Sequence, residues 1–220
     1  AGAPEESDSL TMGTSNQWYA TLTDSISAFP IEEWMLQFTE DYHFELTKSV
    51  WNWETGFGNF HIVEDSELIR DHNFRAIYGN WAYLKTYLRD KYGKYKLAYL
   101  SYNAGKRESY RLVGDVLLTE TDIRCKVNYP DAIVTTTWGI DLHYPGQEFI
   151  AYAIHPNKRK EDYTFPYRCL YSRNIENLFM AGRNISVTHI ALGAIRVQRT
   201  TGMMGEVVGM AAYLCMKYRC

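Results

Sequence analysis

Side chains able to handle protons or anions gather at three places in this 220-residue sequence. Arg107-Glu108-Ser109 stands at the start of an apolar run. There a guanidinium can fork onto both oxygens of a carboxylate ligand while Glu108 fixes its orientation. A structural ion pair at a sheet edge fits the same spacing. His143 follows Asp141 by two residues at the end of a second apolar run, a spacing suited to proton donation or to a local hydrogen bond. The third place is C-terminal: Gly182-Arg183, then Thr188-His189, then Arg196 through Gly202. Metal chemistry is not indicated, because Cys125, Cys169, Cys215 and Cys220 are isolated, without a C-x-x-C pair or clustering with histidine. Isolated cysteines read as buried or surface thiols, which favours a reducing compartment while a bridge between distant cysteines keeps an oxidising one open. Gly56-Phe57-Gly58 lacks the third glycine of a dinucleotide fingerprint, since His61 stands there, and reads as a turn presenting Trp53 and Glu54.

The C-terminal group needs a strand, a loop and a helix to hold it. Leu178 to Ala181 is a short apolar run of strand length ending at Gly182, a residue that suits close backbone approach to a ligand. Thr188 and His189 lie in the polar loop that follows. A helix is expected from about Gln198 to Lys217, with Gly202, Gly205, Gly209 and Ala212 on one face. Interior helical glycine costs roughly 1 kcal/mol relative to alanine. Three on one face imply close packing, against a sheet, another helix or a flat cofactor.

Upstream, Trp18 to Leu22 reads as a strand and Ile31 to Phe38 as a short helix opened by Pro30. Strands are expected around the turn in 41–61. The clearest helix is capped by Asp65 or Ser66, carries Leu68, Ile69, Phe74, Ile77, Trp81, Leu84 and Leu88 inward, and ends at Gly93, with Arg70, Asp71, Lys85, Arg89 and Asp90 toward solvent. Strands are expected over 96–102, 110–118, 131–140, 149–155 and 163–170, with a short helix opened by Thr119 and Asp122. Few long connections and no repeat point to an α+β fold built on a mostly antiparallel sheet.

A formal charge of −3 with scattered Lys and Arg gives no nucleic-acid footprint. The longest apolar run, Val207 to Met216, is about half of a bilayer crossing. Eighteen Tyr and six Trp would suit stacking on sugar rings, which makes a non-catalytic carbohydrate-binding module the alternative function; half-buried core positions use such residues as well.

The chain resembles the FAD-dependent oxidoreductase family. The resemblance rests on Phe165 to Leu170, Asn177 to Ser186, Thr188 to Gly193, Arg196-Val197, Thr200 and the helix of Gly205 and Gly209. It extends back to Arg107-Glu108-Ser109, Val113-Gly114-Asp115 and Met12-Gly13. Arg199 stands where many relatives open the last helix with Pro, and Ile190 where Glu is common. The resemblance implies the C-terminal portion of a larger flavoprotein, with residues 1–170 as substrate or cap region and 171–220 as the last strand and helix of an FAD/NAD(P)-binding-type domain. No G-x-G-x-x-G turn for the ADP moiety occurs in the chain, so that part is expected in a missing N-terminal half. The implied reaction is hydride transfer between a small-molecule substrate and flavin, by a chain expected to be inactive alone. Arg107, His143 and His189 are the implied catalytic residues. Gly182, Arg183, Ser186, Thr188, Arg196, Val197, Thr200, Thr201 and Gly202 are the implied contacts to FAD. A homo-oligomer is the other possible partner arrangement.

Overall fold

The computed structural model describes residues 11–45, 47, 53–56, 60–143 and 162–219. The expected strand at 149–155 lies outside them. Two compact units divide the chain: one holds Ser9–Lys106 and rejoins at His143, the other holds Arg107–Leu142 and the C-terminal residues.

The N-terminal unit is built on α1 (Ser66–Tyr87), followed by the single turn α2 (Arg89–Tyr92) and an antiparallel pair, β1 (Trp18–Leu22) with β2 (Tyr95–Leu100). The pair is in register from Trp18 opposite Leu100 to Leu22 opposite Tyr95, with one irregularity after Tyr19. Ile69, Asn73, Ala76, Ile77, Asn80, Trp81 and Leu84 recur at helical spacing and are buried, so α1 carries its core stripe for its whole length. Trp18, Trp53 and Trp81 are at most 2% exposed and form the centre of this core with Ala76, Ile77, Leu84 and Tyr92. Trp18 meets Trp81 edge to face at 6.1 Å. The core thus absorbs three of the tryptophans, and the glycan-binding alternative gains no support.

Two polar side chains inside the stripe serve as backbone. Asn80 donates Nδ2 to the Phe44 carbonyl and accepts the Phe44 amide at Oδ1, completing a bridge that no strand supplies. Asn73 donates to the Thr14 carbonyl and to Asn16 Oδ1. Lys85 departs from the solvent-facing expectation. It is 4% exposed, and its ammonium donates to the carbonyls of Tyr92, Gly93 and Tyr95 and to Ser27 Oγ. Those carbonyls lie where the chain leaves α2, so a cation there satisfies acceptors that water does not reach. Leu68, expected inward, is 54% exposed. The expected helix at 31–38 is a turn, and the described residues from 39 to 55 take part in the bridges Thr39 with Tyr42 and Thr14 with Thr55. Glu54, expected at an exposed turn, is fully buried.

The C-terminal unit contains α3 (Glu120–Cys125), the antiparallel pair β3 (Ala132–Thr136) and β4 (Tyr163–Pro166), a 3-10 turn at Tyr167–Cys169, α4 (His189–Ile195) and α5 (Gln198–Tyr218). The fold is therefore α+β with small antiparallel sheets. Thr119 and Asp122 form a reciprocal capping box on α3, as their spacing requires. The run 110–118 is not a strand. Its amides at Leu112 and Leu118 reach Asn184 and Ser186, while that of Val116 reaches Arg168 on a different segment, so no continuous ladder forms. Leu178 to Ala181 is likewise reduced to one bridge, Phe179 with Tyr171. No helix among the described residues is long and apolar enough to cross a membrane.

Asp131 closes the β3–β4 pair. Its carboxylate accepts the Arg168 amide at 3.1 Å, Nε at 3.0 Å and Nη2 at 2.9 Å. The Arg168 side chain holds the Asp131 carboxyl below the ordinary carboxylate range. A depressed folded pKa gives stability that is complete above the unfolded value, near pH 4, and is lost as pH falls through the folded value. Urea midpoints measured at pH 6 and pH 3 should accordingly differ less in Asp131→Asn than in the parent. An equal difference in both proteins would remove this pair from the acid response.

Candidate functional site

The C-terminal unit assembles most of the predicted residues around the junction of α4 and α5. Val187 bridges Leu118 in parallel, the Thr188 amide donates to the Leu118 carbonyl, and Thr188 becomes the N-cap position of α4. His189, expected in a loop, is the first residue of that helix. Its Nδ1 lies 2.7 Å from Glu108 Oε2, and Arg111 Nη1 lies 3.8 Å from the same oxygen. These side chains are 14%, 6% and 9% exposed. Arg107 is buried in the same unit.

Arg196 ends α4 with Nη2 donating to the Asp141 carbonyl at 3.1 Å and lying 3.6 Å from Asp141 Oδ2. The helix can come this close because Gly193 has no side chain: a Cβ there would stand 2.8 Å from the Asp141 carbonyl oxygen. Tyr163 fastens the same junction from β4, its hydroxyl 2.9 Å from the Trp138 carbonyl and 3.0 Å from that of Ala194. Burial pushes this phenol upward, so it stays a neutral donor.

Val197 occupies the N-cap position of α5 in extended geometry and supplies no side-chain cap. Valine is among the poorest residues there, because it has no oxygen to accept the amides of the first turn. Thr200 is buried, and its hydroxyl is 2.9 Å from that of Thr136 on β3, which tethers the helix start. Thr201 Oγ1 donates back to the Gln198 carbonyl. Thr200 and Met204 are buried, and Gly202, Gly205, Gly209 and Ala212 are exposed. A Cβ added at any of the three glycines meets nothing within 4 Å. The bare face predicted from the spacing is therefore the outward face of α5.

Gly182 adopts φ +124°, which only glycine takes without strain, and its amide lies 3.3 Å from Met204 Sδ. Arg183 is exposed. Ser186 is fully buried; its amide donates to Cys169, its carbonyl accepts from Leu118, and its Oγ has no hydrogen-bond partner among the described residues. Burial pushes the Cys169 thiol up to about 12, which marks it as packing rather than chemistry.

His143 belongs to the other unit. It is 4% exposed, holds the left-handed φ of 46°, and its Nδ1 lies 2.6 Å from Oε1 of the buried Glu54. A non-glycine residue in that conformation is uncommon and stays there only where its surroundings fix it. Sequence spacing pointed to Asp141 as the neighbour of His143, whereas Asp141 is turned to Arg196. Glu54, 89 residues away, could not have been found from local pattern. No group of three His, Cys, Asp or Glu side chains among the described residues is arranged to hold a metal ion.

Residues 8–220 match the family of FAD dependent oxidoreductases. The chain belongs to this family. No curated protein and no solved structure matches it. Family membership implies a flavin-linked oxidoreductase role and, in general, binding of FAD. The residues fit such a group at the start of α5, where an uncapped helix end adjoins the open face of Gly202.

Proposed function

We propose that the protein transfers hydride between a small-molecule substrate and FAD, with the electron-accepting ring of FAD set against the N-terminus of α5. The observation that carries this reading is the helix start itself. Val197 leaves the first-turn amides without a side-chain cap, and Gly202 leaves open space beside them, in a chain matched to the family over residues 8–220. A helix N-terminus carries about half a positive charge together with unsatisfied N–H groups.

Bound FAD supplies a two-electron acceptor that the twenty side chains lack. The protein then has three tasks. The amides of Gln198 to Thr200, with the helix dipole behind them, would hold the flavin and favour negative charge on it. Gly182 and Arg183 would contact the cofactor, the glycine by its lack of a side chain and the arginine by its charge. Arg196, at the end of α4, is fixed by Asp141, and Thr188 and His189, at the start of α4, would face the substrate. Arg107 grips the substrate.

The purified protein, equilibrated with FAD and freed of excess by gel filtration, should keep visible flavin absorbance in proportion to protein. Loss of all flavin from the complete, folded protein would overturn the reading.

A further inference from the structure

We propose that Glu108 fixes the tautomer of His189 so that its Nε2 takes the hydroxyl proton of an alcohol as the alcohol's carbon gives up hydride, which makes alcohols the substrate class. The proposal rests on the flavin-dependent reading above. Nδ1 of His189 lies 2.7 Å from Glu108 Oε2, and the Arg111 guanidinium stands 3.8 Å from that oxygen. A carboxylate beside a guanidinium accepts hydrogen bonds and donates none, so in the neutral imidazole Nδ1 carries the hydrogen and Nε2 the lone pair. Among the described residues Nε2 has no hydrogen-bond partner, and the side chain retains 14% of its exposure. The arrangement is therefore a base with one nitrogen anchored in the protein and the other left for a proton. A residue that merely tied down the start of α4 would not need its second nitrogen free.

The proton balance selects the substrate. As an alcohol becomes a carbonyl, the electron pair of its C–H bond goes to the flavin, and the O–H bond breaks with its electron pair forming the second C–O bond. The proton forms an N–H bond at His189 Nε2, leaving an imidazolium that Glu108 stabilises across the short contact. A neutral amine already has a lone pair on nitrogen to expel hydride and needs no base at that atom. Carbon–carbon desaturation would ask imidazole for a carbon-bound proton, a far weaker acid than a hydroxyl. Glu108 is the positioning residue in this scheme, and His189 is the catalytic one.

Two measurements test it. Long-range proton–nitrogen NMR of the labelled protein, with and without FAD, should show His189 with Nδ1 protonated and Nε2 bare, and Glu108→Gln should mix the tautomers. An Nε2-protonated ring in the parent, or an unchanged tautomer in Glu108→Gln, would overturn the positioning role. Anaerobic flavin reduction is then followed with 2-propanol, lactate, glycerol and glucose as alcohols, alanine and isopropylamine as amines, and succinate. At least one alcohol should reduce the flavin. The limiting rate for it should fall about 10²–10⁴-fold in His189→Asn and about 10–100-fold in Glu108→Gln at unchanged KM, with partial recovery in Glu108→Asp. Reduction by an amine or succinate but by no alcohol, reduction by none of these compounds, or a Glu108→Gln effect confined to KM would overturn it. Protein that retains no flavin fails the functional reading instead, and the tautomer spectrum recorded without FAD still decides the dyad.

Discussion

Gly202→Phe is expected to abolish flavin retention while leaving the protein at least as stable as the parent. Gly202 lies in the first turns of α5, on its exposed face, and a Cβ built there meets no atom within 4 Å. Replacing an exposed helical glycine removes its backbone-entropy cost, so the substitution gains a few tenths of a kcal/mol in helix propensity and loses no packing. The ring of phenylalanine would nonetheless fill the space beside the uncapped amides of residues 198–200, where the proposed cofactor edge sits. Bound flavin read by absorbance after gel filtration, together with the thermal midpoint, separates the two effects. Full flavin retention by a folded Gly202→Phe protein would sink the placement. A lowered midpoint would contradict the open face. Gly202→Ala is the milder companion and should raise the midpoint.

Gly79→Ala should have the opposite sign. Gly79 also lies inside a long helix, α1, but its missing side chain makes room for the backbone of another segment. A Cβ there would fall well inside contact distance of the Leu36 carbonyl oxygen. That segment has little freedom to retreat: the Leu36 amide donates to the Arg75 carbonyl at 3.1 Å, and Arg75 Nε donates to the Trp34 carbonyl at 2.8 Å. Forcing atoms into a packed site costs roughly 1–3 kcal/mol and sometimes more, against about 1 kcal/mol gained in helix propensity. We expect a net loss of about 1–2 kcal/mol, measured by urea unfolding of the complete protein. A neutral or stabilising result would mean that residues 34–36 do not lie against α1 as described.

The two glycines show where local pattern stops being informative. Both stand in long helices: the sequence marks the start of α1 at Asp65 and both ends of α5, Gln198 to Tyr218 against an expected end at Lys217, but it runs the first helix on to Gly93, whereas α1 ends at Tyr87 and Leu88 separates it from α2. Periodicity assigns each helix a face. It does not say what covers that face, because a bare stripe can lie against a backbone, as at Gly79, or toward open space, as at Gly202. The helix α4 escaped notice because His189 to Ile195 makes barely two turns and holds Gly193. That glycine is a weak helix former whose presence is explained by the Asp141 carbonyl pressed against it.

The sequence by itself determined the helices α1 and α5, the strands β1 and β2, the capping box of Thr119 and Asp122, and the family. The elements are written in residues a few positions apart, within reach of one helical turn or one strand pleat, and the family in the order of short motifs along the chain. The histidines were visible as chemistry but not as pairs. Tertiary structure alone joined His189 to Glu108 across 81 residues and His143 to Glu54 across 89. It alone turned Asp141 toward Arg196 and buried Lys85 among carbonyls. Such contacts follow from how whole elements pack, and a hydrogen bond between distant residues leaves no period in the chain.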